Sequence, residues 1–167
     1  IDLTKGNVHV RAGQQYAGFS LAQTINSQDA GFKVDVKGPV SFSAFWLLDD
    51  QRGSSSNSDS YLYAANVGHK TDMYAANVFF GGQTKALSDH ENVYMIGADT
   101  VFNLDALKLS AELDYFNGDY DNNIDAVGLQ FFLDAAFAAS ETMTVGAQFY
   151  YAKGTDKDDE MQYTYLG

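Results

Sequence analysis

Residues 107–118 read "LKLSAELDYFNG". Leu107, Leu109, Ala111, Leu113 and Tyr115 alternate with Lys108, Ser110, Glu112, Asp114 and Phe116. Successive side chains of a strand point to opposite faces, so this segment predicts a strand with one apolar and one largely polar side. The same period of two recurs along the chain. Residues 30–37 set Phe32, Val34 and Val36 against Lys33, Asp35 and Lys37, and residues 40–48 set Val40, Phe42, Ala44, Trp46 and Leu48 against Ser41 and Ser43. Further alternating stretches lie at 7–16, 60–68, 73–81, 93–102, 124–133, 143–152 and 161–167.

About ten strands are therefore expected, each near the roughly 9–11 residues that a tilted strand needs to cross a bilayer. The links between them alternate in length. "AGFSLAQTINSQD", "DDQRGSSSNSD", "QTKALSDHE", "NGDYDNN" and "KGTDKDDE" are long and polar, whereas "GP", "HKTD" and "NLD" are short. An antiparallel meander with long loops at one end and tight turns at the other predicts an all-β chain closed as a transmembrane β-barrel. The one stretch that suggests a helix is the Ala-rich "FFLDAAFAASE" (131–141).

Composition bounds the reading. The chain has 167 residues, which suits a single domain, and a net charge of −12. That acidity argues against a nucleic-acid surface. With no cysteine there is neither a disulfide framework nor a thiolate metal site. The opening "IDLTKGNVHV" has no signal-peptide pattern, and no window approaches a transmembrane helix. A single proline, Pro39, favours long uninterrupted ladders.

A soluble β-sandwich also alternates, and is the competing architecture. Two features favour lipid. The polar face is mostly small or weakly polar (Ser41, Ser43, Asn66, Asn77, Gly97, Gly128, Gly146, Gln148) rather than densely charged. The apolar face is rich in tyrosine: Tyr61, Tyr63, Tyr74, Tyr94, Tyr115, Tyr151, Tyr163 and Tyr165 are expected to form a girdle at headgroup level, mostly near one strand end.

The segments "GNVHVRAGQQYAGFS" (6–20) and "DAGFKVDVKGPVSFSAFWLLDD" (29–50) resemble the corresponding strands of Gram-negative general porins, including the homotrimeric porins of sulfate- and metal-reducing bacteria. The resemblance implies an outer-membrane location in a Gram-negative bacterium and a homotrimer in contact with lipid and lipopolysaccharide. It also implies a barrel of sixteen or eighteen strands for passive diffusion of small hydrophilic solutes. This chain departs from the family in supplying only about ten strands and in ending "MQYTYLG" without a terminal aromatic residue. A contiguous part of a larger barrel is the preferred reading, a complete ten-stranded barrel the alternative. The small inward residues favour the wider pore, since about eight strands already give an interior that side chains fill.

Candidate functional residues follow from the polar face. Arg11, Lys33, Asp35, Lys37, Asp99, Lys108, Glu112 and Asp114 are expected to line the pore and set its field. The acid excess predicts a mild cation preference. The loop 17–29, with "GFSLAQTI", is expected to fold inward as a constriction. Asp119, Asp121, Asn123 and Asp125 resemble the front half of a calcium loop, but the central glycine is missing and position twelve is Gln130. A solvated loop tip is the favoured reading of them, and no cofactor is expected beyond a weak surface calcium ion. His9, His69 and His90 are scattered, and "GSSSNS" (53–58) has no nucleophile-elbow spacing, so no enzyme is expected.

Overall fold

The computed structural model describes residues 1–21, 25–50, 59–85, 91–121, 124–155, 160–164 and 166. Ten strands form one antiparallel meander, each hydrogen-bonded to the next in chain order. They are β1 (Asp2–Lys5), β2 (Val8–Phe19), β3 (Ile25–Val36), β4 (Val40–Asp50), β5 (Ser60–Lys70), β6 (Tyr74–Lys85), β7 (Glu91–Leu104), β8 (Leu107–Asp121), β9 (Ile124–Ser140) and β10 (Met143–Ala152). An eleventh, β11 (Glu160–Gln162), runs parallel to β9 at Asp125–Val127. There is one sheet, so the sandwich arrangement is not adopted. Nor does the sheet close on itself: among the described residues β10 pairs only with β9, and β1 only with β2.

The tight turns gather at one end, at residues 6–7, 37–39, 71–73, 105–106 and 141–142. Gly6 (φ 61°) and Asp105 (φ 49°) take the left-handed conformation that such turns demand. Pro39 sits in a turn, where no ladder donor is lost. The opposite end differs from expectation because the strands run on into the predicted loops. The link 17–29 shrinks to 20–24, and "NGDYDNN" becomes the end of β8 with only 122–123 before β9. The Ala-rich 131–141 segment is also strand: β9 is ordered on both sides by β8 and β10, and ladder pairing on two edges overrides a weak helical propensity.

The sheet is strongly curled. Leu21, just past β2, hydrogen-bonds to Glu112 on β8, six strands further along. Six flat inter-strand steps of about 4.8 Å would separate them by about 29 Å. At the same end, Tyr163 donates to the Val127 carbonyl of β9 (2.8 Å) and Leu166 accepts from Asn26 of β3 (3.2 Å). Only three residues separate Tyr163 from Leu166, at most about 11 Å of extended chain. β3 and β9 therefore face each other across the inside of the curl.

The two sides of the sheet have opposite fates. The outward positions leave apolar groups uncovered, with Val78 57%, Ile96 55%, Leu113 52% and Tyr115 51% exposed. The inward positions at the loop end are packed: Phe45, Leu47, Leu62, Phe79, Val93, Met95 and Phe116 are buried, with Leu166 among them. These residues sit where strict alternation breaks down, in "AFWLL", "VFFG", "VYMIG" and "DYFNG", so that both faces are apolar there.

Candidate functional site

The inward face is layered by strand register. One row runs Asp35–Ser43–Asn66–Phe79–Gly97–Asp114–Gln130 across β3 to β9. The row nearer the tight turns carries Ser41, Gly68, Asn77, Asp99 and Glu112. Together they make a polar belt at mid-sheet. The next two rows towards the loops carry Phe45, Ala64, Gly81, Met95, Phe116 and Gly128, then Leu47, Leu62, Val93 and Ala126, and form an apolar layer above the belt.

Seven of the eight expected pore-facing residues stand at inward positions of strands. Arg11 and Lys33 are register partners, and both lie 3.6 Å from the Asp35 carboxylate. Ser43 donates to the same carboxylate at 2.7 Å, and His9 approaches it at 4.0 Å. Asp35 thus ties together the cationic side chains of the β2–β3 wall. Lys108 is exposed near the tight-turn end. Lys37 lies just beyond β3, exposed, with its N–H bonded to the Asn7 carbonyl.

The acids on the β7–β9 wall are different. Asp99 is 7% exposed, Glu112 2% and Asp114 1%. They were expected to be solvated, and the curl of the sheet buries them instead. Asp99 and Glu112 are cross-strand register partners. Asn77 donates to Asp99 at 2.7 Å. Tyr150 donates to Gln130 at 2.6 Å, and Gln130 donates to Asp114 at 2.8 Å. Each carboxylate thus keeps a neutral hydrogen-bond donor, which is what a buried charge requires in place of water.

The end of β2 reaches this wall. Of the expected inward loop 17–29, residues 17–19 and 25–29 are strand; past β2, the Leu21 N–H is bonded to Glu112. Residues 22–24 lie outside the described residues.

On the outward face, Tyr61, Tyr63, Tyr94, Tyr115 and Tyr151 all occupy apolar-side positions. Tyr61 stacks on Trp46 (4.9 Å), and Phe80 lies 6.4 Å from both Tyr63 and Tyr94. Register aligns Phe32, Trp46, Tyr63, Gly82 and Tyr94 across β3–β7. Tyr74 belongs to the other end, where it packs on His69 and Phe102. On β5–β7 an aromatic row, or rim, therefore stands at each end of the outward face, with Phe80, Tyr115, Phe131 and Tyr151 in rows between them. On β6 the two rims are eight residues apart, Tyr74 to Gly82, which is about 27 Å along the strand and about 21 Å vertically at a tilt near 40°. Between the rims, the described outward positions of β4–β10 hold no Asp, Glu, Lys or Arg.

Tyr163 departs from the expected girdle. It lies on the inward side, its hydroxyl donating to Glu91 at 2.5 Å and its ring 6.3 Å from Tyr120. Tyr165 lies outside the described residues.

Three of the four candidate calcium-loop residues lie on paired strands. Asp119 and Asp121 belong to β8 and Asp125 to β9, so strand pairing replaces the loop that would wrap an ion. Asp119 and Asp125 face each other in register at the loop-side rim. Asn123 and the Asp121 side chain lie outside the described residues. Among the described residues no group of three or more acids, histidines or cysteines has metal-holding geometry.

Sequence reasoning missed Gln130, Asn77 and Tyr150, which hold the buried acids. Their inward parity was readable, but their neighbours on other strands were not. No family model matches the chain, and no curated protein matches it.

Proposed function

We propose that this chain forms wall strands of an outer-membrane porin, a passive diffusion channel for small hydrophilic solutes and ions, with a mild preference for cations. The observation that carries the reading is the outward face. It is apolar, free of charge between two aromatic rims, and its rim spacing of about 21 Å is close to the roughly 25 Å apolar band of outer-membrane barrels. Water is a poor solvent for such a face, since soluble monomers rarely expose apolar patches beyond a few hundred Å².

The inward face supports the channel part of the proposal. Cationic side chains gather with Asp35 on the partly solvated β2–β3 wall, where a permeating ion would meet them, whereas the buried acids of β7 and β8 would act on it only through their field. Lipid contact demands that every backbone group be paired, so the open edges of β1 and β10 are accounted for if these strands are one part of a larger ring. A homotrimer of such rings in a Gram-negative outer membrane, in contact with lipopolysaccharide, completes the proposal. The alternative of a surface binding or adhesion domain requires water to solvate the outward face.

The deciding experiment is reconstitution in planar bilayers. Stepwise conductance with a reversal potential favouring cations is the expected result. A chain that stays monomeric in water without detergent and carries no current would refute the proposal.

A further inference from the structure

We propose that residues 160–164 together with Leu166 are a strap that shuts the loop-side mouth of the interior, so that a water path along the inward face opens only when the strap leaves its seat. The functional consequence rests on the channel reading; the strap itself does not.

The strap is held at three places. Glu160–Gln162 pair in parallel with Asp125–Val127 on β9. Tyr163 bonds to the Val127 carbonyl and to the Glu91 carboxylate of β7. Leu166, fully buried, forms a parallel bridge to Ile25 on β3. The segment thus crosses from one side of the curl to the other, directly over the apolar layer.

The sheet is shaped beneath it. Two inward positions of one register row, Gly128 on β9 and Gly81 on β6, lack side chains where the strap passes. A Cβ on Gly128 would stand 2.2 Å from the Tyr163 carbonyl oxygen. A Cβ on Gly81 would stand 2.8 Å from Ile25 Cδ1 and 3.2 Å from Leu166 Cδ1. Both glycines clear room for the strap.

The attachment is nevertheless slight. It consists of a three-residue parallel ladder, a few hydrogen bonds and one buried leucine, whereas β5, β6 and β7 are held along eleven or more residues by their neighbours. Met161 and Gln162 are exposed to solvent. Segments with few buried contacts open at lower free energy than the ladder around them.

The test uses the chain carrying Met95→Cys, a buried position under the strap. The chain is reconstituted in lipid vesicles and treated with a charged, membrane-impermeant methanethiosulfonate. Slow labelling is expected in this parent. Adding Gly128→Ala, which drives the Tyr163 carbonyl off β9, should accelerate labelling at least ten-fold while the strand signal in circular dichroism is retained. Unchanged labelling with the sheet intact overturns the strap. If Gly128→Ala loses the sheet, Tyr163→Phe decides: it removes only the bond to Glu91, and acceleration supports the strap while no change overturns it. Planar-bilayer current separates the two proposals. Accelerated labelling without current in any variant leaves the strap standing and ends the channel reading. Current of equal size in parent and variants, with equal labelling, leaves the channel standing and ends the strap.

Discussion

The backbone N–H of Leu21 donates to the carboxylate of Glu112, joining the end of β2 to the middle of β8 across the inside of the curled sheet. Glu112 is 2% exposed, so this is a bond in a water-poor setting. Removing the acceptor leaves a part-buried amide without this partner, which costs about 1 kcal/mol, towards the low end of the range for a lost partner. Glu112→Ala should therefore lower unfolding stability by about that amount, whereas Glu112→Gln, which keeps an acceptor oxygen, should lose less than half as much. Denaturant titration of the three proteins in the same detergent checks the ordering.

Leu113 stands on the outward face between the aromatic rims. If hydrocarbon is its solvent, Leu113→Arg costs about 2–4 kcal/mol at mid-depth. Were water its solvent, a half-exposed position would tolerate arginine within about 0.5 kcal/mol. Leu109→Arg should behave alike. Unfolding free energies measured in lipid vesicles discriminate between the two solvents.

Phe79 is 1% exposed and stands in the mid-sheet row just beneath the apolar layer, where its ring presses on Gly97. Phe79→Ala should cost about 3–5 kcal/mol, as aromatic deletions from packed cores do. Phe80→Ala, one residue away on the outward face, should cost clearly less. Equal losses would mean that the two faces are not distinct environments.

Asp35 offsets one of the two positive charges of Arg11 and Lys33 on the β2–β3 wall. These groups are partly solvated, so Asp35→Asn should change stability by no more than about 1 kcal/mol. Its electrical effect should be larger. With the carboxylate gone the wall gains net positive charge, and the reversal potential in a potassium chloride gradient should move towards anions. An unchanged potential would remove this wall from the ion path.

How much of this was legible in the chain differs by feature. The alternation of Leu109, Ala111, Leu113 and Tyr115 was enough to place a strand and to say which side is apolar, because parity is a local property. The burial of Asp99, Glu112 and Asp114 was not legible, because it depends on curl, which only contacts between distant strands express. Phe45, Phe79, Met95 and Phe116 had the right parity to be read as inward. They were overlooked because reading one apolar face obscures runs where both faces are apolar. "FFLDAAFAAS" reads as helix from alanine content, yet two neighbouring strands impose pairing on it. "MQYTYLG" alternates like any strand of the meander. Nothing in its residue types announces that it leaves the meander and crosses the interior.

The last meander strand, β10, is bonded on one side only and spells "MTVGAQFYYA", without a lysine, a carboxylate or a proline to blunt its free flank. Such a flank is a template for any extended chain that drifts past it. With one flank unpaired among the described residues, this chain is a fibril risk in water. Purified without detergent, it should yield ordered cross-β precipitate rather than amorphous loss.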